Sequence, residues 1–289
     1  MAVEIIPTIG RMNRQPQFEI FASGLDHPEC LAFDRDGNLW AGGEAGQVYR
    51  IDASGAVTTV ATLGGFNAGL AFSPLDHDLY VCNAKAGIFR VQAAGGHSLL
   101  ATHAGDHKIV CPNYPLFDRR GRLYATDSGK WKQRNGCLLR FDEHGMGQVV
   151  ARPFGYANGL ALSPDERHLF MVESDTDRVL HFPLNQDGEL GPVEVYAEKV
   201  GRLPDGLALD EAGNLYVACY ASDEIWRISP AGDKTMLATD YHAILLSRPT
   251  NLTWGGERRD VLYVSNLGRD TITRATLPGV RGQRLAHQS

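Results

Sequence analysis

Apolar residues along this chain come in short runs separated by polar turns, and the unit they form repeats. A strand of the form Leu-aromatic-small, introduced by a turn, recurs as Asp34-Arg-Asp-Gly-Asn-Leu39-Trp40, Ser73-Pro-Leu-Asp-His-Asp-Leu79-Tyr80 and Asp118-Arg-Arg-Gly-Arg-Leu123-Tyr124. It continues as Ser163-Pro-Asp-Glu-Arg-His-Leu169-Phe170, Asp210-Glu-Ala-Gly-Asn-Leu215-Tyr216 and Gly256-Glu-Arg-Arg-Asp-Val-Leu262-Tyr263, six copies in all. A short apolar run precedes each turn, as in Leu31-Ala-Phe, Leu160-Ala-Leu and Leu207-Ala-Leu. A third strand such as Glu224-Ile-Trp-Arg-Ile228 and a fourth such as Val57-Thr-Thr-Val-Ala61 follow. Strands of about five residues joined by Gly, Asp and Pro turns make an antiparallel meander, and four per copy make a propeller blade.

The sequence therefore predicts an all-β, six-bladed β-propeller of four-stranded antiparallel blades. The last copy lacks a fourth strand after Thr271-Ile-Thr-Arg-Ala-Thr276, whereas Gln17-Phe-Glu-Ile-Phe-Ala22 has the outer-strand pattern of Glu194-Val-Tyr-Ala197 and precedes the first copy. Residues 17–22 are thus expected to complete the last blade and close the ring, which removes exposed sheet edges. Residues 1–16 read as an N-terminal extension, and 1–289 as one domain without a linker.

One position in the repeat carries chemistry. Five residues before each turn-initiating Asp, Ser or Gly stand Glu29, Ala68, Asn113, Asn158, Asp205 and Asn251, spaced by 39, 45, 45, 47 and 46. Each belongs at the mouth of the central channel, and five of the six are Asn, Asp or Glu. Asn and Asp also begin strands and turns, but a turn role does not select Glu. Amide and carboxylate oxygens without His or Cys form a hard site suited to Ca²⁺, Mg²⁺ or Mn²⁺, and two carboxylates neutralise a divalent charge.

Composition narrows the partners. Lys+Arg at 28 against Asp+Glu at 34 gives a net charge of -6, which argues against nucleic acid and an anionic membrane surface and leaves a small molecule. The five cysteines, Cys30, Cys82, Cys111, Cys137 and Cys219, are scattered and odd in number, so a reducing compartment is expected. No signal-like leader or apolar span is visible, and a cytoplasmic location follows as the expectation. Gly-x-Ser-x-Gly, His-Glu-x-x-His, Walker and Gly-x-Gly-x-x-Gly patterns are absent from the sequence. His107 and Lys108, just ahead of Cys111-Pro-Asn113, are candidates for the pocket mouth.

Several segments together resemble the SMP-30/gluconolactonase/luciferin-regenerating-enzyme-like family, and more loosely paraoxonase and diisopropylfluorophosphatase propellers. They are His27-Pro-Glu-Cys-Leu-Ala-Phe-Asp34, Pro112-Asn113, Asn158-Gly-Leu-Ala-Leu-Ser-Pro-Asp165, Pro204-Asp-Gly-Leu-Ala-Leu-Asp210, Gly213-Asn-Leu-Tyr-Val-Ala-Cys-Tyr220 and Pro249-Thr-Asn-Leu-Thr-Trp-Gly-Gly256. The resemblance implies a hydrolase that opens a small lactone around one divalent cation, most readily Ca²⁺, with Mg²⁺, Mn²⁺ or Zn²⁺ as alternatives. It implies Glu29, Asn158 and Asp205 as metal ligands and Asn113 as a fourth ligand or close neighbour. Asp205 would double as proton acceptor; coordination weakens a carboxylate as a base, so activation of the water by the ion is the alternative.

Departures from the family pattern point away from a sugar. Cys111 stands where sugar-lactone members often have Arg, Tyr114 where Asp is common, and Ser128-Gly-Lys-Trp131-Lys-Gln-Arg134 where some place a Glu. Cys111, Tyr114, Asp127, Trp131 and Asn251 are therefore expected around a more aromatic substrate pocket. Two other functions fit the same sequence: hydrolysis of an organophosphate or aryl ester at the same site, and a non-catalytic propeller that binds a ligand or protein.

Overall fold

Turn chemistry explains why the repeat folds as it does. In the first, third and fifth copies the Asp carboxylate accepts backbone N–H bonds across the turn: Asp34 from Asp36 and Asn38, Asp118 from Arg120 and Arg122, and Asp210 from Asn214. The glycine three residues on (Gly37, Gly121, Gly213) has φ of +82° to +83°, a conformation that disfavours any β-carbon. Asp34 also accepts from Trp40 Nε1 at 2.8 Å and Asp210 from the Tyr216 hydroxyl at 3.1 Å, so one carboxylate ties the turn to the aromatic of the following strand.

The structure is a computed structural model and describes residues 15–288. Six four-stranded antiparallel sheets are present, each a meander in chain order except the last. The inner strands are Cys30–Phe33, Asn67–Phe72, Pro112–Phe117, Ala157–Leu162, Pro204–Leu209 and Pro249–Gly255, which define blades 1 to 6. Successive inner strands pack side by side, and the last returns to the first, so the ring is closed.

Closure is made as the sequence predicts, two residues later at its start and one at its end. Glu19–Ser23 pairs antiparallel with Thr271–Thr276 and forms the outer strand of blade 6. Arg274 lies over the Phe21 ring at 4.8 Å and bonds Glu19 at 2.8 Å, holding the two chain ends together. Of the expected N-terminal extension, residues 1–14 lie outside the described residues.

The core lies between blades rather than inside any one of them. The repeated leucines Leu39, Leu79, Leu123, Leu169, Leu215 and Leu262 are all buried, and Leu207, Leu215 and Ile228 of blade 5 pack against Phe170, Val172 and Val179 of blade 4. Both faces of each inner strand are covered, which is why these strands read as continuous apolar runs. Outer strands alternate with water, keeping single buried alanines at Ala22, Ala61, Ala197 and Ala238.

The repeat does not account for two features. His103–Ala104 and His107–Lys108 form a small hairpin between blades 2 and 3. The C-terminal tail folds under the ring and seals one end of the channel. There Gln283 Nε2 donates to the Leu162 carbonyl at 2.9 Å, and the buried His287 bonds the Phe33 carbonyl at 2.7 Å. The opposite end is left as the accessible mouth.

Candidate metal centre and substrate cavity

The ring residues are aimed inward by a break in strand pairing. Inner-to-second strand register shifts between Asn67 and Gly69, Pro112 and Pro115, Ala157 and Leu160, Pro204 and Leu207, and Pro249 and Asn251. These five irregularities fall at or next to the ring position in blades 2 to 6. A bulge frees a residue from the pleat and turns its side chain, and here it turns oxygen donors toward the axis. In blade 1 Glu29 immediately precedes its strand, its N–H bonded to the Gly42 carbonyl.

Two residues before the ring position the backbone is kinked. His27, Tyr156 and Leu203 have φ of 45°, 59° and 49°, a left-handed conformation uncommon for such side chains. An Asp177 carboxylate oxygen 2.8 Å from the Leu203 N–H holds one of them. Ring positions are further latched across blades by hydroxyls. Ser128 donates to the Ala157 carbonyl (2.7 Å), Ser174 to the Pro204 carbonyl (2.6 Å), and Thr250 and Ser265 to the Glu29 carbonyl (2.7 and 2.9 Å). Each latch runs from one blade to the residue at or beside the ring position of the next.

Glu29, Asn113, Asn158 and Asp205 line one cavity of about 340 Å³ at the accessible mouth. Asn158 Nδ2 donates to Ser174 Oγ at 3.2 Å, which leaves its carbonyl oxygen facing inward. Glu29 Oε2, Asn158 Oδ1 and Asn251 Oδ1 are buried without a hydrogen-bond partner. Buried acceptors are normally satisfied, and of these three Glu29 and Asn158 line the cavity while Asn251 does not. The donor set is all oxygen, the composition a hard divalent ion takes.

Proximity and burial perturb both acids. Loss of hydration raises Glu29 well above the usual carboxylate range, and the Asp205 charge adds to the shift. Burial likewise pushes Asp205 from 3.8 up to about 8, against the pull of an Asn158 hydrogen bond. Such a carboxyl binds a proton in the fold that it releases on unfolding. Its stabilising contribution is therefore full at low pH and is lost as pH rises through the folded value. The chelated protein should melt at progressively lower temperature between about pH 4 and pH 8, and saturating calcium should abolish that slope; a pH-independent melting temperature after chelation would refute the coupling.

Apart from Ser174 and Cys111, the rest of the wall is apolar or aromatic. Phe66, Ala68, Ala84, Trp131, Tyr156, Leu203, Tyr220 and Leu267 surround the oxygens. Trp131 packs edge-on against Tyr156, ring centroids 5.0 Å apart. Cys111 also lines the cavity beside Tyr156, and burial lifts its thiol to about 11, so it stays protonated.

The other expected pocket residues fall elsewhere. Asp127 does not face the cavity: it is fully buried, and its carboxylate accepts N–H bonds from Val110, Cys111 and Gly129 as well as a His107 contact at 2.9 Å. An ion at the end of a buried strand satisfies itself on the nearest loop amides. Neither Tyr114 nor Asn251 lines the cavity: Tyr114 lies toward the sealed end of the channel, where burial holds its hydroxyl above the ordinary range. His107 and Lys108 belong to the small hairpin and are not among the residues lining the cavity.

Sequence reasoning missed Phe66, Tyr156, Leu203, Ser174 and Tyr220. A signal for three of them existed: Phe66, Tyr156 and Leu203 each stand two residues before a ring position, as Cys111 does. Ser174 and Tyr220 were marked as well: each stands five residues after the repeated leucine of a second strand, as Ala84 and Leu267 do, and all four line the cavity.

A closed ring of six blades with oxygen donors gathered at one mouth of its channel defines a particular class of propeller. Within that class the chain belongs to the SMP-30/gluconolactonase/LRE-like family, whose sequence model matches residues 44–267. A model of the N-terminal part of strictosidine synthase-like proteins also matches residues 19–51. The chain is 30% identical to a 6-deoxy-6-sulfogluconolactonase of Pseudomonas putida over 78% of each chain. It is 29% identical to lactonase drp35 of Staphylococcus saprophyticus, over 84% of this chain and 78% of that one. Its fold matches a gluconolactonase of Xanthomonas campestris with a TM-score of 0.79, covering 94% of both at 19% identity. A calcium-binding regucalcin of Agrobacterium tumefaciens matches at 0.78, covering 93% of this chain and 96% of that one at 18% identity. No helix among the described residues is long and apolar enough to cross a membrane.

Proposed function

We propose that the protein is a divalent-metal-dependent lactonase whose substrate is an apolar, aromatic or alkyl lactone. The observation that carries this reading is the set of orphaned buried oxygens on separate blades beneath an apolar mouth. Lactonase relatives at 29 to 30% identity support the reaction type. Glu29, Asn113, Asn158 and Asp205 would hold the cation, for which calcium is the first expectation and magnesium, manganese or zinc the next. A cation bound there would supply Lewis-acid stabilisation of the oxyanion that forms when a lactone carbonyl is attacked.

The chain's own groups account for the remaining steps. Asp205, which a bound cation would keep ionised, accepts a proton from the attacking water and returns it to the ring oxygen as the C–O bond breaks. Water adds to the carbonyl carbon, one ester bond is cleaved, and a hydroxy acid results. Trp131, Tyr156 and Phe66 grip the apolar part of the ring and exclude bulk water. Cys111 is held protonated and is no nucleophile.

A lactone panel assayed before and after chelation tests the proposal. Turnover should disappear with chelator, return with calcium, and favour phenyl- or alkyl-substituted lactones over gluconolactone. Trp131→Ala should raise KM for the aromatic substrates roughly tenfold with a smaller change in kcat, as expected for lost ring contact. Hydrolysis that survives complete metal removal would defeat the proposal.

A further inference from the structure

A second cluster of ligating side chains lies behind the cavity wall, on the opposite side of Cys111. His107 comes from the small hairpin, Asp127 from the second strand of blade 3, and Cys137 from the adjacent third strand Gly136–Phe141. His107 Nε2 stands 2.9 Å from Asp127 Oδ2 and 3.4 Å from Cys137 Sγ, and the three atoms all lie within 4.8 Å of one another.

We infer that His107, Asp127 and Cys137 form a separate site for a zinc-class transition ion. Bonds of about 2.0 to 2.3 Å to imidazole, carboxylate and thiolate put neighbouring ligands of a tetrahedron about 3.3 to 3.6 Å apart. The two separations from His107 are close to that and the third lies within 4.8 Å, so a small adjustment of the side chains accommodates an ion. One carboxylate and one thiolate cancel its double charge, which matters where Asp127 and Cys137 are both wholly buried. Thiolate and imidazole select a softer ion than the all-oxygen set on the axis.

The surroundings suit such a site. Asp127 is fixed in orientation by the N–H groups of Val110, Cys111 and Gly129, the kind of outer support that metal carboxylates have. His107 keeps 21% of its side-chain surface exposed, which leaves an entry path and a place for a fourth, water ligand. Binding is balanced in protons: the ion displaces the Cys137 thiol proton to solvent, while a neutral His107 moves its N–H from Nε2 to Nδ1. Because Asp127 also bonds the Cys111 N–H, a bound ion would stiffen the wall of the substrate cavity.

Cobalt titration of the intact protein in excess calcium tests this independently of any lactonase activity. One equivalent of Co²⁺ should bind with a thiolate-to-metal charge-transfer band in the near ultraviolet and the strong visible bands of a tetrahedral site, and zinc should displace it. The charge-transfer band should vanish in Cys137→Ala and persist in Cys111→Ser and Asp205→Asn. His107→Gln, at a partly exposed position that folding should tolerate, should weaken cobalt binding at least about tenfold. A wild-type protein without the thiolate band, a band that follows Cys111, or unchanged affinity in His107→Gln would each overturn the assignment.

Discussion

Asp205→Asn should lower kcat for lactone hydrolysis by about a thousandfold or more while leaving the propeller folded. General acid–base action alone contributes about 10²- to 10⁴-fold, and in our proposal the same side chain also helps to hold the cation. Asn keeps the size and the hydrogen bond with Asn158 but removes both the negative charge and the proton-accepting oxygen. Glu29→Gln should be nearly as damaging through cation affinity, so extra calcium should partly rescue Glu29→Gln but not Asp205→Asn. Both substitutions remove a costly buried carboxyl, and the metal-free variants should therefore melt at or above the temperature of the chelated wild type near pH 8. Steady-state kinetics across a calcium series with parallel thermal melts would decide it. Wild-type turnover in Asp205→Asn would remove the catalytic assignment.

The second large effect concerns residues with no functional side chain. Gly206→Ala should destabilise the fold by about 1 to 3 kcal/mol, the usual cost of forcing atoms into a packed site. A β-carbon there would stand 2.5 Å from the Thr250 carbonyl oxygen and 2.8 Å from the Asn251 Cα. Gly159→Ala should act similarly, since its β-carbon would run into the Asp205 carbonyl oxygen and lie 2.8 Å from the Gly206 Cα. These neighbours are backbone, which cannot swing aside, so the inner strands must separate. The Asn-Gly-Leu and Asp-Gly-Leu segments thus pair a donor with the glycine that lets the next blade approach it. Gly159→Ala presses on Asp205 itself, so it should lose activity beyond what its stability loss explains. Denaturant melts together with kcat at saturating calcium separate the two; an alanine tolerated without any shift at either position would show that the strands pack more loosely than described.

Substitution at the latching hydroxyls should be milder but informative. Ser174 supports Asn158 and the Pro204 carbonyl at once. Ser174→Ala leaves both without that partner, and should weaken calcium binding without touching the substrate. Calcium titration monitored by thermal shift reads this directly, and unchanged affinity would confine Ser174 to a structural role.

Much of this was legible in the chain because a propeller is a local code repeated. Asp34, Asp118 and Asp210 bind amides within their own turns, and Leu39 through Leu262 recur at blade spacing, so short-range pattern determines strand, turn and blade number. The same periodicity marked Glu29, Asn113, Asn158 and Asp205 as equivalent positions, which circular closure must bring to one axis. The unpaired sixth blade and the spare strand near the N-terminus even specified how the ring closes.

What only the tertiary structure decided depends on contacts between segments that share no period. Asp127 reads as a pocket acid by position, yet nearby loop amides and His107 absorb its charge in the interior. Tyr114 follows Asn113 directly, but the strand carries it toward the sealed end of the channel. The tail that seats His287 under the ring arrives through long-range packing. Periodicity determines which residues are equivalent, because it follows from backbone geometry repeated along the chain. Which equivalent residue meets solvent, substrate or a buried neighbour is decided by the closing of the ring, since desolvation and partner choice exist only once distant blades are in contact.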